Sequence, residues 1–126
     1  DVVLNVEASH VYWGDAFLAE VARVLAPGGR FVLVDSRDLT PGGVLEYLNE
    51  HFITHGLSVA AFRDVTQHVV DSCIADSPRR EQLLERVPFF VRPSMRPMLG
   101  VAGSSRFECF RSRTTTYFIA VAARAT

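Results

Sequence analysis

Apolar and polar positions change period several times along the chain, and each change marks an element. The first stretch, Asp1 to Tyr12, opens on a continuous apolar run of Val2, Val3, Leu4 and Val6, then breaks into Asn5, Glu7, Ser9 and His10. Short uninterrupted runs of this kind belong to strands covered on both faces. Asp15 then stands as a helix cap before Phe17, Leu18, Val21, Val24 and Leu25, which recur at helical spacing until Pro27-Gly28-Gly29 ends the pattern. The run from Phe31 to Val34 predicts a second buried strand ending at Asp35. Strand, amphipathic helix, glycine turn and strand make a βαβ unit, so the crossover is expected to be right-handed and the strands parallel.

Beyond Pro41-Gly42-Gly43, the positions Val44, Leu45, Leu48 and Phe52 predict a helix stopped by Gly56. Leu57 to Phe62 reads as a third strand, and Thr116 to Ala123, rich in aromatic, apolar and β-branched residues, as a fourth. Residues 64–113 differ in character. Asp64 or Thr66 opens a helix carrying Val69, Val70, Cys73 and Ile74, and Ser77 followed by Pro78 predicts the cap of a second helix through Leu83, Leu84 and Val87. The segment from Val87 to Gly103 is apolar but broken by prolines, which predicts an irregular cap or lid packed over something hydrophobic.

Composition narrows the class. With 126 residues, of which 48% are hydrophobic, the chain suits one domain with its own core. The net charge is −1 and the arginines are scattered, so no electrostatic footprint for nucleic acid is expected. Cys73 and Cys109 lack C-x-x-C spacing and predict reduced thiols in a cytoplasmic protein rather than a disulfide or a zinc site. No apolar run reaches the roughly 18 residues of a membrane span, and no leader pattern precedes the first strand, so a soluble protein is expected. The missing initiator Met suggests that Asp1 is interior to a longer chain.

In an open parallel sheet, ligands bind outside the carboxyl ends of the strands. The βαβ unit brings Asn5, Val6, Glu7 and His10 to that edge from one strand, and Asp35 with Arg37 from the other. An imidazole near its ordinary pKa accepts a proton at neutral pH, and a carboxylate beside it fixes its tautomer. His10 with Asp35 or Glu7 is therefore a candidate base and orienter; the alternative is a loop histidine bonded to backbone beside a surface carboxylate. His51 and His55 have metal-ligand spacing but no third ligand, so a solvated helix face and no metal are expected. His68 reads as surface, and Arg79 and Arg80 beside Glu81 and Glu85 as a salt-bridged face. The chain contains no G-x-G-x-x-G, P-loop or G-x-S-x-G motif.

The stretches DVVLNVEASHVY and FLAEVARVLAPGGRFVLVDSR resemble the second half of class I S-adenosylmethionine-dependent methyltransferases, at the family's fourth strand, fourth helix and fifth strand. DVVLNVEASH, FLAEV followed by RVL and, more loosely, SPRREQLLERVPFFVR and GVAGS are similar to the phthiotriolone and phenolphthiotriolone dimycocerosates methyltransferases. The resemblance implies an α/β fold: the C-terminal half of a Rossmann-like doubly wound sheet, with a mainly helical insertion before the last antiparallel strand. Residues 1–63 would form the core, 64–113 a substrate cap and 114–126 the terminal strand. It implies S-adenosylmethionine as cofactor, lying against Asn5, Val6 and Glu7. His10 would be the general base, supported by Asp35 and Glu7, for methyl transfer to a hydroxyl of a hydrophobic lipid, polyketide or other natural product. Tyr12, Phe89, Phe90, Met95 and Met98 would line the acceptor. The family's glycine-rich loop and ribose-holding acid would precede Asp1, so the chain is expected to be inactive alone. A C- or N-methyltransferase and a truncated, non-catalytic domain that binds a partner or hydrophobic ligand are the alternatives, and dimerisation is left open.

Overall fold

The computed structural model describes residues 1–125. Its elements run β1 (Val2–Val6), α1 (Ser9–Tyr12), α2 (Asp15–Val24), β2 (Arg30–Arg37), α3 (Pro41–Ile53), β3 (Leu57–Asp64), α4 (Thr66–Glu85), α5 (Arg92–Met98), α6 (Ser105–Arg111) and β4 (Thr116–Arg124). The sheet order is β1-β2-β4-β3. β1 and β2 are parallel, with Val3 opposite Phe31 and Val6 opposite Val34, whereas β4 runs antiparallel to both β2 and β3. A parallel pair needs a crossover, and α2 supplies it.

One face of the sheet carries the main core. Leu18, Val21 and Leu25 on one helical stripe, and Val44, Leu48 and Phe52 on another, bury against Phe31, Leu33, Phe118, Ala120 and Ala122. Alternation along β2 puts Phe31, Leu33 and Asp35 on this same buried face, so the row of apolar side chains ends in a carboxylate. The glycine turn brings the end of α2 back to the start of β1. Gly28 has φ +75°, and a Cβ on Gly29 would stand 2.9 Å from Ala26 O and 3.0 Å from Asp1 O. The N–H of Arg30 donates to Asp1 O at 3.0 Å across this approach.

β1 stands at the edge of the described sheet, and Val2, Leu4 and Val6 are exposed because no element among the described residues packs on their side. Three expectations are corrected. Asp15 does not cap α2. It is the first helical residue, after Gly14, and its carboxylate meets His55 Nε2 at 3.2 Å. Ser77 and Pro78 do not begin a new helix, for α4 runs unbroken through them. The Ser77 hydroxyl donates to Cys73 O at 2.7 Å within the helix and accepts the Ala102 N–H at 2.9 Å. Pro78 removes the donor for Ile74 O, on a side of the helix where Ile74 is exposed to water.

The proline-broken segment is also not irregular throughout. It forms α5, with Pro93 in the first turn, where its missing N–H has no helical partner to lose. Beyond that segment lies α6, whose capping Ser104 hydroxyl accepts the Phe107 N–H at 3.4 Å. Val70 and Cys73 of α4 meet Phe107 and Phe110 of α6 in a second, smaller core that Tyr117 of β4 adjoins.

Gly29→Ala is expected to lower stability by about 1–3 kcal/mol, since the atoms it meets are backbone. Gly42→Ala, in α3 with nothing within 4 Å, is expected to raise stability by up to about 1 kcal/mol. Urea unfolding midpoints of the two variants check both signs.

Candidate active site

The site begins where β1 leaves the sheet. Glu7 still donates its N–H to Val34 O at 2.8 Å, but it does so at φ +50°, a left-handed conformation uncommon for a residue with a Cβ. That turn lays α1 over the end of β2 and puts Ser9, fully buried, against Asp35.

Asp35 is 2% exposed and fully engaged. Its Oδ2 accepts the Ser9 N–H at 3.1 Å and the Ser9 hydroxyl at 2.5 Å, while Oδ1 accepts the Ser36 N–H at 2.7 Å. The Arg37 guanidinium donates to Ser9 Oγ at 2.7 Å, lies 3.5 Å from Asp35 Oδ2 and packs 5.1 Å over the Trp13 ring. Burial works against the charge, but the Ser9 hydroxyl, the Ser36 N–H and the charges of Arg37 and His10 outweigh it. The carboxyl is held below its ordinary value and stays ionised at neutral pH.

His10 follows Ser9 on α1. Its side chain is 60% exposed, and its Nδ1 stands 3.7 Å from Asp35 Oδ1, beyond hydrogen-bond range and within reach of an ion pair. Glu7, His10 and Asp35 line one open cavity of about 490 Å³, together with Arg37, Asp38 and Arg106. The three residues singled out from strand ends are thus brought together.

The other sequence candidates are spread more widely. Asn5 is buried; its amide donates to the Tyr12 hydroxyl, and its Oδ1 has no partner. Val6 lies on the bare side of β1. Tyr12 packs edge-on against Phe17 at 4.9 Å and is not part of the cavity wall. Phe89 and Phe90, 78% and 72% exposed, meet each other edge to face at 5.7 Å on the surface. Met98 lines a neighbouring cavity, and Met95 lines neither. His51 Nδ1 bonds Tyr47 O at 2.8 Å, so it and His55 face different partners. Arg79 and Arg80 pair with Asp76 at 2.6 and 2.7 Å instead of Glu81 or Glu85, because α4 continues back through residue 76. Their hydrogen bonds push the Asp76 carboxyl far down.

Ser9, Ser36, Asp38, Arg106 and Tyr117 at the site were not anticipated. Ser9 sits inside the quoted motif, and its spacing from His10 was its one signal. Asp38 follows Arg37 by one position. Arg106 comes from α6 and Tyr117 from β4, and no local pattern ties either to the first strand. The Tyr117 hydroxyl donates to Glu7 Oε1 at 2.6 Å. Burial first, then the bond to Glu7 and the charges of Glu7 and Asp35, raise the phenol above its ordinary value, so it remains a donor at neutral pH.

No family model matches the chain. Over 82% of its length it is 37% identical to a probable phthiotriol/phenolphthiotriol dimycocerosates methyltransferase of Mycobacterium ulcerans, of which it spans 40%. A 38-residue stretch is 63% identical to a fatty-acid O-methyltransferase of Mycolicibacterium smegmatis, covering 29% of this chain and 14% of that one. In structure, 99% of the chain superposes on 44% of the O-methyltransferase from a trans-AT polyketide synthase of Brevibacillus brevis, solved with S-adenosyl-L-homocysteine (TM-score 0.72, 15% identity). The last likeness is one of fold.

Asp35→Asn leaves Ser9 and Arg37 facing a neutral amide and is expected to lower stability at pH 7 by about 1–3 kcal/mol. The folded carboxyl titrates below its unfolded value, so this contribution is complete above roughly pH 4 and fades as pH falls through the folded value. Urea midpoints of the wild type and variant should therefore differ at pH 7 and converge in acid.

Proposed function

Because this chain has the fold of the C-terminal half of a class I S-adenosylmethionine-dependent methyltransferase, we propose that it is part of an O-methyltransferase acting on a hydroxyl of a hydrophobic lipid or polyketide. The single observation that carries the reading is an ionised, buried Asp35 beside an exposed His10 at the carboxyl ends of β1 and β2. The names of the relatives support the acceptor class.

The residues present fit the cofactor. Asn5 Oδ1 is a buried acceptor without a partner at the end of β1, and an ammonium or amide donor would satisfy it. Asn5, Val6 and Glu7 would hold the methionine end. When bound, S-adenosylmethionine supplies an electrophilic methyl group on sulfur.

The chain's own part is proton handling and orientation. His10 turns Nδ1 toward Asp35, which leaves Nε2 free to take the hydroxyl proton of the acceptor. Asp35 stabilises the imidazolium that results, and Ser9 and Arg37 keep the carboxylate in place. Glu7 is held by Tyr117 at the mouth of the cavity. The helices of residues 64–113 serve as the cap over the acceptor, with Met98 in its cavity wall. No described helix is long and apolar enough to cross a membrane, and Cys73 and Cys109 are unpaired, which supports a cytoplasmic location.

His10→Ala in the full-length enzyme is expected to lower methyl transfer by about 10²- to 10⁴-fold, with the unfolding midpoint unchanged because the side chain is exposed. Asp35→Asn is expected to lower methyl transfer as well, since the carboxylate that orients the imidazole and steadies its protonated form is gone. Transfer of labelled methyl from S-adenosylmethionine to a hydroxylated lipid measures both. Activity within about threefold of wild type in His10→Ala, far short of the loss of a general base, would sink the assignment.

A further inference from the structure

A second cavity of about 520 Å³ lies between α4, α5 and the near end of β4. Val69, Leu83, Met98, Leu99, Phe110 and Tyr117 give it an apolar wall. Glu7, Ser36 and Arg106 line both this cavity and the His10 cavity, so the two spaces adjoin across the Glu7–Tyr117 hydrogen bond. The far end is open, where Met98 is 83% and Leu83 41% exposed. The result is a channel with one apolar wall, whose lining also holds Glu7, Arg79, Arg80 and Arg106, leading away from the His10 pocket with a volume in the range of small-molecule sites.

The charges at the junction select among possible occupants. Arg79 and Arg80 are committed to Asp76 at 2.6 and 2.7 Å, and Arg80 also donates to Leu99 O at 2.5 Å. Arg106 is held far less tightly. Its Nη1 lies 3.4 Å from Asp38 Oδ1, its Nη2 3.2 Å from Ser36 Oγ, and its guanidinium lies 5.0 Å from the centre of the Phe110 ring. A guanidinium has five N–H donors in a planar fork that matches a carboxylate. Two long contacts leave most of them free, at the point where the channel meets the His10 pocket.

We propose that the acceptor is a long-chain hydroxy acid, with its acyl chain along Val69, Leu83 and Leu99 toward Met98, its carboxylate on Arg106 and its hydroxyl at His10. This rests on the O-methyl transfer reading only in placing the hydroxyl. The exposed pair Phe89 and Phe90 lies outside the channel and serves as the control for mere surface hydrophobicity.

The test is binding of cis-parinaric acid, whose fluorescence rises in apolar surroundings, and of the corresponding alcohol, to the purified full-length protein. Met98→Asp and Leu83→Asp change exposed side chains and are each expected to weaken binding of the acid about tenfold, the loss of one apolar contact. Phe89→Asp with Phe90→Asp should leave it within about twofold. Arg106→Gln should weaken the acid about tenfold and leave the alcohol unchanged. Absence of saturable binding of the acid, or equal loss in the Phe89 and Phe90 control, overturns the channel; equal effects of Arg106→Gln on acid and alcohol overturn the head group. Binding intact in an enzyme whose methyl transfer survives His10→Ala would refute the base and leave the channel standing. Transfer that depends on His10 without saturable binding would refute the channel alone.

Discussion

A charged carboxylate cannot lie at the end of a buried row of side chains unless it is paired, and Asp35 lies in that position. Its needs shape the surroundings. Ser9 must be buried over it, so α1 must fold back as soon as β1 ends, and Glu7 takes a left-handed backbone conformation to allow that return. Arg37 must point inward to Ser9 and the carboxylate, and it packs on Trp13 as it does so. His10 is then placed beside the charge as the next residue on the short helix.

A second link joins the beginning of the chain to its end. Glu7 at the close of β1 accepts from Tyr117 on β4, across the strand that separates them in the sheet. Tyr117 in turn adjoins the small core of α4 and α6. The cap helices are therefore tied through Tyr117 to the edge where His10 stands. A shift of the cap on α6 would move Arg106, which reaches Ser36 and Asp38 on the same edge. The His10 pocket and the neighbouring channel adjoin at these contacts, with Glu7, Ser36 and Arg106 in the walls of both.

The fold places chemistry without specifying it. Rossmann-like sheets carry many reactions, and what distinguishes this one is the set of groups at the carboxyl ends of its strands. Here that set is an imidazole, an ionised carboxylate already satisfied by its own neighbours, and a buried amide oxygen awaiting a donor.

The sequence by itself determined the βαβ unit, all four strands, the convergence of Glu7, His10 and Asp35, and the family resemblance. These rest on local periodicity, on glycine turns and on the rule that successive parallel strands end on one edge, all of which act over a few tens of residues. Tertiary structure decided the rest. Whether Ser77 caps a helix or bonds back into one depended on Cys73 O and the Ala102 N–H, the latter lying far along the chain. Arg106 and Tyr117 joined the site through a register and a helix position set some hundred residues from the first strand, by packing that leaves no periodic trace.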